Sequence, residues 1–223
     1  MKGKIISLLM STMLAVLALA SCDIGITNKE YKPTPDSYFT FTYIEESDAY
    51  SIAAKDGVTL PSELKLPAKY SGKDIVSISY EGFIGDENVT RVTIPAGYEK
   101  IGVSAFKDCK NLKSVTINAD ITAIGSMAFS ECKVLRTVTF PASLKEIGAY
   151  AFYDTAIYSA KFKALEKIDE YAFYGCEYLK NVYIPETTSQ IGDFAFGGCG
   201  IVNFDVAAAN PYYTVRNGEI VNK

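Results

Sequence analysis

Ile101-Gly102-Val103-Ser104-Ala105-Phe106 returns as Ile124-Gly125-Ser126-Met127-Ala128-Phe129 and again as Ile147-Gly148-Ala149-Tyr150-Ala151-Phe152. Ile168-Asp169-Glu170-Tyr171-Ala172-Phe173 and Ile191-Gly192-Asp193-Phe194-Ala195-Phe196 continue the series, and a worn copy, Ile78-Ser79-Tyr80-Glu81-Gly82-Phe83, stands in front of it. The Phe-to-Phe steps are 23, 23, 23, 21 and 23 residues. A period of that length, with its apolar positions held in place, is the signature of a solenoid of stacked single-turn units. A unit so short cannot bury its apolar stripe on itself, so its neighbours have to cover it.

Each unit has a second half. Leu112-Val115-Ile117, Leu135-Val138-Phe140, Ile157-Ala160-Phe162, Leu179-Val182-Ile184 and Ile201-Phe204-Val206 follow the Phe, with Val89-Val92-Ile94 in the worn copy. The last two positions of each trio are separated by one residue, the alternation of a strand with one buried face. Pro95, Pro141 and Pro185 come directly after and, lacking an N–H, end the ladder. The Ala-Phe segment is too short for an ordinary helix and reads as one tight 3-10-like turn with Ala and Phe inward. The expected fold class is therefore mainly β with short 3-10 or helical turns. It is a right-handed solenoid with a parallel sheet of one short strand per unit, near Ser114–Ile117 and its equivalents, and a shorter second strand at each Ile-Gly. Strands near Phe39–Tyr43 and Tyr50–Ala53, joined across Glu45–Asp48, are expected to form an N-terminal β cap. Asn217-Gly218 predicts the turn of a C-terminal hairpin.

These residues resemble the Treponema pallidum-type leucine-rich repeats of BspA-like bacterial surface proteins, whose pattern is roughly Leu-x-x-Val-x-Ile-Pro…Leu-x-x-Ile-Gly-x-x-Ala-Phe-x-x-Cys. The likeness covers six units, residues 78–206, with Ser79 and Asp169 in place of the Gly. Residues 38–77, with Leu60-Pro61, Leu64-Lys65-Leu66-Pro67 and Ile75, are similar to the family's lead-in, and residues 207–223 to a capping hairpin. The resemblance implies an extracellular binding or adhesion role and names no ligand.

Residues 1–21 read as a secretory leader: Lys2 and Lys4, then an apolar run from Ile5 to Ala20 ending in small residues. Leu19-Ala20-Ser21-Cys22 matches the bacterial lipobox, which makes Cys22 the acylated first residue of the mature chain. A plain signal peptide with an incidental Cys is the alternative; the run is short for a membrane span. Residues 22–37 read as a tether from the membrane. The expected address is the bacterial cell envelope, as a membrane-anchored lipoprotein assigned to the outer membrane; the single acidic residue after the Cys, Asp23, does not decide between retention and exposure at the surface. Removing Lys2 and Lys4 with the leader takes the formal net charge from −4 to −6, which offers no footprint for nucleic acid.

Of five cysteines, Cys22 goes to lipid, and Cys109, Cys132, Cys176 and Cys199 each fall three residues after a repeat Phe. At a strand spacing of about 4.8 Å per unit, Cys109 and Cys199 lie roughly 19 Å apart, too far to share a metal ion. In-register side chains point the same way, so a ladder of small buried thiols is favoured over disulfides between neighbours. The chain has no His, and no phosphate loop, nucleophile elbow or zinc signature is present. Its acids are scattered: Glu45-Glu46 sits in a turn, while Asp86, Glu99, Glu131 and Glu146 take different repeat slots. The reading is a non-enzyme without a cofactor.

The positions that vary between units carry the functional expectation. Outward residues of the sheet give a polar ladder, Arg91/Thr93, Ser114/Thr116, Thr137/Thr139, Ser159/Lys161, Asn181/Tyr183 and Asn203/Asp205, broken by Tyr183. Residues two before and one after each Phe are three apart and share a face of the turn. They are Ser104/Lys107, Met127/Ser130, Tyr150/Tyr153, Tyr171/Tyr174 and Phe194/Gly197. Tyr150, Tyr153, Tyr171, Tyr174 and Phe194, with Tyr183 on the sheet, are the candidate ligand-binding residues. Tyrosine joins apolar area to a polar tip, which suits an extracellular protein or glycan; rings that merely cover turn edges are the structural alternative. The expected function is a lipid-anchored, non-catalytic binding or adhesion module, against a structural or assembly lipoprotein of the envelope.

Overall fold

Each repeat folds into one rung, and the rungs stack through backbone hydrogen bonds. The computed structural model describes residues 31–201 and 203–223, of which Lys32–Lys223 form one compact unit. The leader and the lipobox with Cys22 lie outside the described residues. After a 3-10 turn at Asp36–Tyr38, β1 (Phe39–Ile44) and β2 (Ala49–Ala54) pair antiparallel around a second 3-10 turn, Glu45–Ser47. β3 (Glu63–Lys65), β4 (Lys69–Tyr70) and β5 (Lys73–Ile78) lead into the repeats. The repeats then supply two strands apiece. These are β6 (Arg91–Ile94) with β7 (Lys100–Ile101), β8 (Ser114–Ile117) with β9 (Ala123–Ile124), and β10 (Thr137–Val138) with β11 (Glu146–Ile147). β12 (Ser159–Lys161) with β13 (Lys167–Ile168) and β14 (Asn181–Ile184) with β15 (Gln190–Ile191) follow. β16 (Asn203–Val206) precedes the hairpin of β17 (Tyr213–Arg216) and β18 (Glu219–Asn222).

The expected caps are in place. β1 and β2 adjoin the first rung because β2 pairs parallel with β5, and Phe39 sets its ring edge-on against Phe83. Asn217 and Gly218 take φ of 52° and 81°, the pair of left-handed residues that a two-residue hairpin loop needs. Asn210, fully buried, fastens this cap: its amide donates to the Pro185 and Thr188 carbonyls, and its carbonyl accepts from Tyr212 and Tyr213. The lead-in contributes a rung as well, with Leu64 in register with Val92. Thr34, within the stretch expected to be tether, is buried and bonded in both directions to Lys65.

Two expectations about the repeat need correction. The strand taken as the main sheet is not continuous. Its ladder is split into β3–β6–β8–β10 and β12–β14–β16, whereas the short Ile-Gly strands run unbroken from β5 to β15. The break falls at the 21-residue unit, which is one residue short on each side of β12. At this step one backbone bond still crosses, from the Tyr158 N–H to the Arg136 carbonyl, and the Phe140 ring packs 5.6 Å from Phe152 and 5.0 Å from Phe162. The ladder of short Ile-Gly strands is uninterrupted here, with Ile147 opposite Ile168.

The second correction concerns the Ala-Phe turn, which is not a 3-10 helix. Three-residue closures are present, from Ala105 to Gly102, Lys107 to Ser104 and Cys109 to Phe106, but the N–H groups between them go elsewhere. Ser104, Phe106 and Asp108 donate to the carbonyls of Ser126, Ala128 and Ser130 in the next rung. Alternating the donors requires left-handed residues, and Ser104 and Asp108 have φ of 55° and 59°. Every turn thus becomes a third ladder that runs in one direction, each rung donating forward.

Inside the coil, Phe83, Phe106, Phe129, Phe152, Phe173 and Phe196 stack at 5.1–5.4 Å between ring centroids. Phe106 to Phe173 are essentially inaccessible. The four repeat thiols are free and line a parallel column. Each donates to the carbonyl of the preceding rung's Phe at 3.0–3.1 Å. Burial pushes the Cys132 thiol well up, so it stays protonated and keeps donating.

Candidate binding surface

The slot two residues before each Phe has a left-handed backbone in every rung, whatever residue fills it. Glu81, Ser104, Met127, Tyr150, Tyr171 and Phe194 have φ between 52° and 58°. Bulky side chains disfavour this region by roughly 1–2 kcal/mol each. Three adjacent rungs nevertheless hold aromatics there. Costly conformations of this kind persist only where something compensates for them.

Part of the compensation is visible. Tyr150 and Tyr171 stack at 4.9 Å and 7°, and Tyr171 stacks on Phe194 at 5.3 Å. A second column runs beside the first, Tyr153 on Tyr174 at 5.7 Å and 7°. Cross contacts of 5.7 Å (Tyr150–Tyr153) and 5.5 Å (Tyr171–Tyr174) join the two. The second column ends at Gly197, where an added Cβ would lie 2.8 Å from the Tyr174 ring. The four tyrosines are half-buried, and Phe194 is 63% exposed. Desolvation among these rings raises the Tyr150 phenol, followed by the influence of Tyr171 and Glu170, so it remains a neutral donor.

Stacking uses up ring faces. What the two columns present outward is ring edges and phenolic oxygens, a surface of apolar strips with polar tips. At one end of the first column, Phe194 is exposed.

Tyr183 is not part of this cluster. It stands on β14, half-buried, in a depression of about 270 Å³ lined also by Lys161, Asn181, Val182, Asn203 and Asp205. A further aromatic group escaped the sequence reading. Phe41 stacks on Tyr70 at 3.8 Å, Tyr50 meets Tyr70 edge-on at 5.2 Å, and Lys73 sits 5.5 Å above the Tyr43 ring. Alternating aromatics in Phe39-Thr40-Phe41-Thr42-Tyr43 were the available signal, but Tyr70 reaches them only through the β4–β5 hairpin. Among the described residues, no group of three or more Cys, Asp or Glu could hold a metal ion, and no helix is long and apolar enough to cross a membrane.

The family model of the BspA type leucine rich repeat region matches six copies over residues 76–203. Among curated proteins, none matches the chain. Solved structures share its fold. A leucine rich cell surface protein of Faecalibacterium prausnitzii is 22% identical, with a TM-score of 0.60 over 86% of this chain and 58% of that one. The T. pallidum leucine rich repeat protein is 24% identical, with a TM-score of 0.54 over 75% of this chain and 89% of its own. The pneumococcal vaccine antigen PcpA is 16% identical, with a TM-score of 0.53 over 83% and 52%. The chain thus spans little more than half the length of the first and the third.

Proposed function

The protein belongs to the BspA-type leucine-rich repeat family, and from that premise we propose that it is a non-catalytic binding module of the bacterial envelope that holds an extracellular protein on its tyrosine face. One observation carries the reading: large rings occupy a left-handed slot in three adjacent rungs, where Ser104 and Met127 show that smaller or more flexible side chains suffice for the fold. Edges and hydroxyls favour a protein over a glycan, because sugars pack on ring faces and the faces between rungs are taken by stacking. A leucine rich cell surface protein among the structural neighbours agrees with this placement. Acylation of Cys22, holding the solenoid on a membrane of the envelope, is the anchoring that the lipobox supports.

The test replaces Tyr150, Tyr153, Tyr171 and Tyr174 with Ser and measures binding to arrayed extracellular proteins and glycans. Ser104 and Ser130 already fill the two slots in other rungs. Binding to a protein is expected to fall at least about tenfold, equivalent to about 1.4 kcal/mol, with no change for Thr116→Ser and Thr139→Ser on the sheet. Loss in the sheet variants alone moves the site to the β-ladder, and a signal from glycans alone removes the preference for protein.

A further inference from the structure

The forward-donating turn ladder has an open end. In the rungs before it, residues two before, at and two after the Phe give their N–H groups to the next rung. Tyr150, Phe152 and Asp154 donate to Glu170, Ala172 and Tyr174; Tyr171, Phe173 and Gly175 donate to Asp193, Ala195 and Gly197. The equivalent N–H groups of Phe194, Phe196 and Gly198 have no partner among the described residues. Elsewhere this end of the coil is capped: Ile191 N–H donates to the Tyr213 hydroxyl at 2.9 Å, and Asn210 fastens the chain that follows. Beside the open donors lies a groove of about 680 Å³ whose walls include Phe194, Phe196, Phe204, Tyr213, Ile220 and Val221. The exposed face of Phe194 ends the aromatic column on this side.

We propose that this end is a docking site for a polypeptide segment of another protein, which adds one further rung. The donors select the chemistry of the occupant. Three N–H groups at every second residue match carbonyls at every second residue of an extended or turn-forming chain, the main-chain recognition used in strand addition. The face of Phe194 selects an aromatic or large apolar side chain in the slot that Tyr171 fills one rung earlier. A second copy of the chain is a poorer occupant. Its own first turn would set Glu81 against Phe194, and the carbonyl of Gly82 in that turn already accepts from Ala54.

The proposal shares Phe194 with the end of the aromatic column but none of the four tyrosines, and its experiment separates the two. The probe is a synthetic nonapeptide with the sequence of residues 167–175, Lys-Ile-Asp-Glu-Tyr-Ala-Phe-Tyr-Gly, which carries the required carbonyls and ring in the register of a natural rung. Amide hydrogen exchange is followed on the full chain. Without peptide, the Phe194, Phe196 and Gly198 amides are expected to exchange fast and those of Phe152 and Phe173 slowly. Saturating peptide should slow the first three by at least about tenfold. A peptide with its first Tyr changed to Ser, or the variant Phe194→Ser with the original peptide, should lose most of that protection. The double variant Tyr150→Ser/Tyr153→Ser, more than one rung away, should keep it. Equal protection by a scrambled peptide, or slow exchange of all three amides in the dilute free protein, would overturn the proposal. Protection that rises with protein concentration alone, together with dimers in sedimentation, would assign the end to a second copy and overturn it likewise.

Discussion

The residue that brings rungs into closest backbone approach is the Gly that follows the repeat Ile in four of the six units. A Cβ on Gly125 would lie 2.7 Å from the Gly102 carbonyl carbon and the Val103 nitrogen, both backbone atoms of the rung before. Backbone in the middle of a stack cannot move aside as a flexible side chain can. Gly125→Ala is expected to cost about 1–3 kcal/mol through overpacking, read as a lower urea midpoint with an unchanged slope. The need for Gly was legible in the repeated Ile-Gly; the left-handed slot two before each Phe was not. Residues as different as Glu81, Met127 and Tyr150 share that conformation. No residue preference marks it, because the backbone bonds of the ladder impose it.

At the scale of elements, identity and geometry separate in the same way. The hairpins were legible because local chemistry specifies them, above all the Asn217-Gly218 pair. Gly218 has φ of 81° with open space around it, so Gly218→Ala should suffer only the left-handed penalty of roughly 1–2 kcal/mol. The effect should stay local, appearing as faster amide exchange in β17 and β18 with little change in the melting of the repeats. The sheet break was written in the 21-residue step, but its consequence depends on where Phe140 packs, which a spacing does not reveal. The direction of the turn ladder was equally hidden. A three-residue closure and a forward bond draw on the same residues, and only the backbone decides which N–H serves which.

For the whole molecule, stacking places the apolar stripe of every unit inside one continuous core and leaves function to whatever varies outside. The order of units, both caps and the Phe spine were readable from the sequence because a solenoid repeats its own constraints. The joining of the tyrosines into two columns followed from the same period. The open end did not, since it depends on which backbone groups the final hairpin reaches. Anchoring belongs to this scale. With the acyl anchor proposed at Cys22, Cys22→Ser should shift the protein from the membrane pellet to the soluble fraction. Continued pelleting would place membrane binding in the folded unit.

The central claim is that two sets of stacked aromatics do different jobs, the Phe spine holding the coil and the tyrosine columns meeting a partner. Urea unfolding of Phe129→Ala and Tyr153→Ser, measured side by side, tests it most directly. Phe129 is fully buried between Phe106 and Phe152, and its loss is expected to cost about 3–5 kcal/mol. Tyr153 is half-buried on one stack, and Ser130 fills its slot one rung earlier, so its loss should cost about 0.5–1.5 kcal/mol. Equal losses would make the tyrosines part of the scaffold and contradict the account.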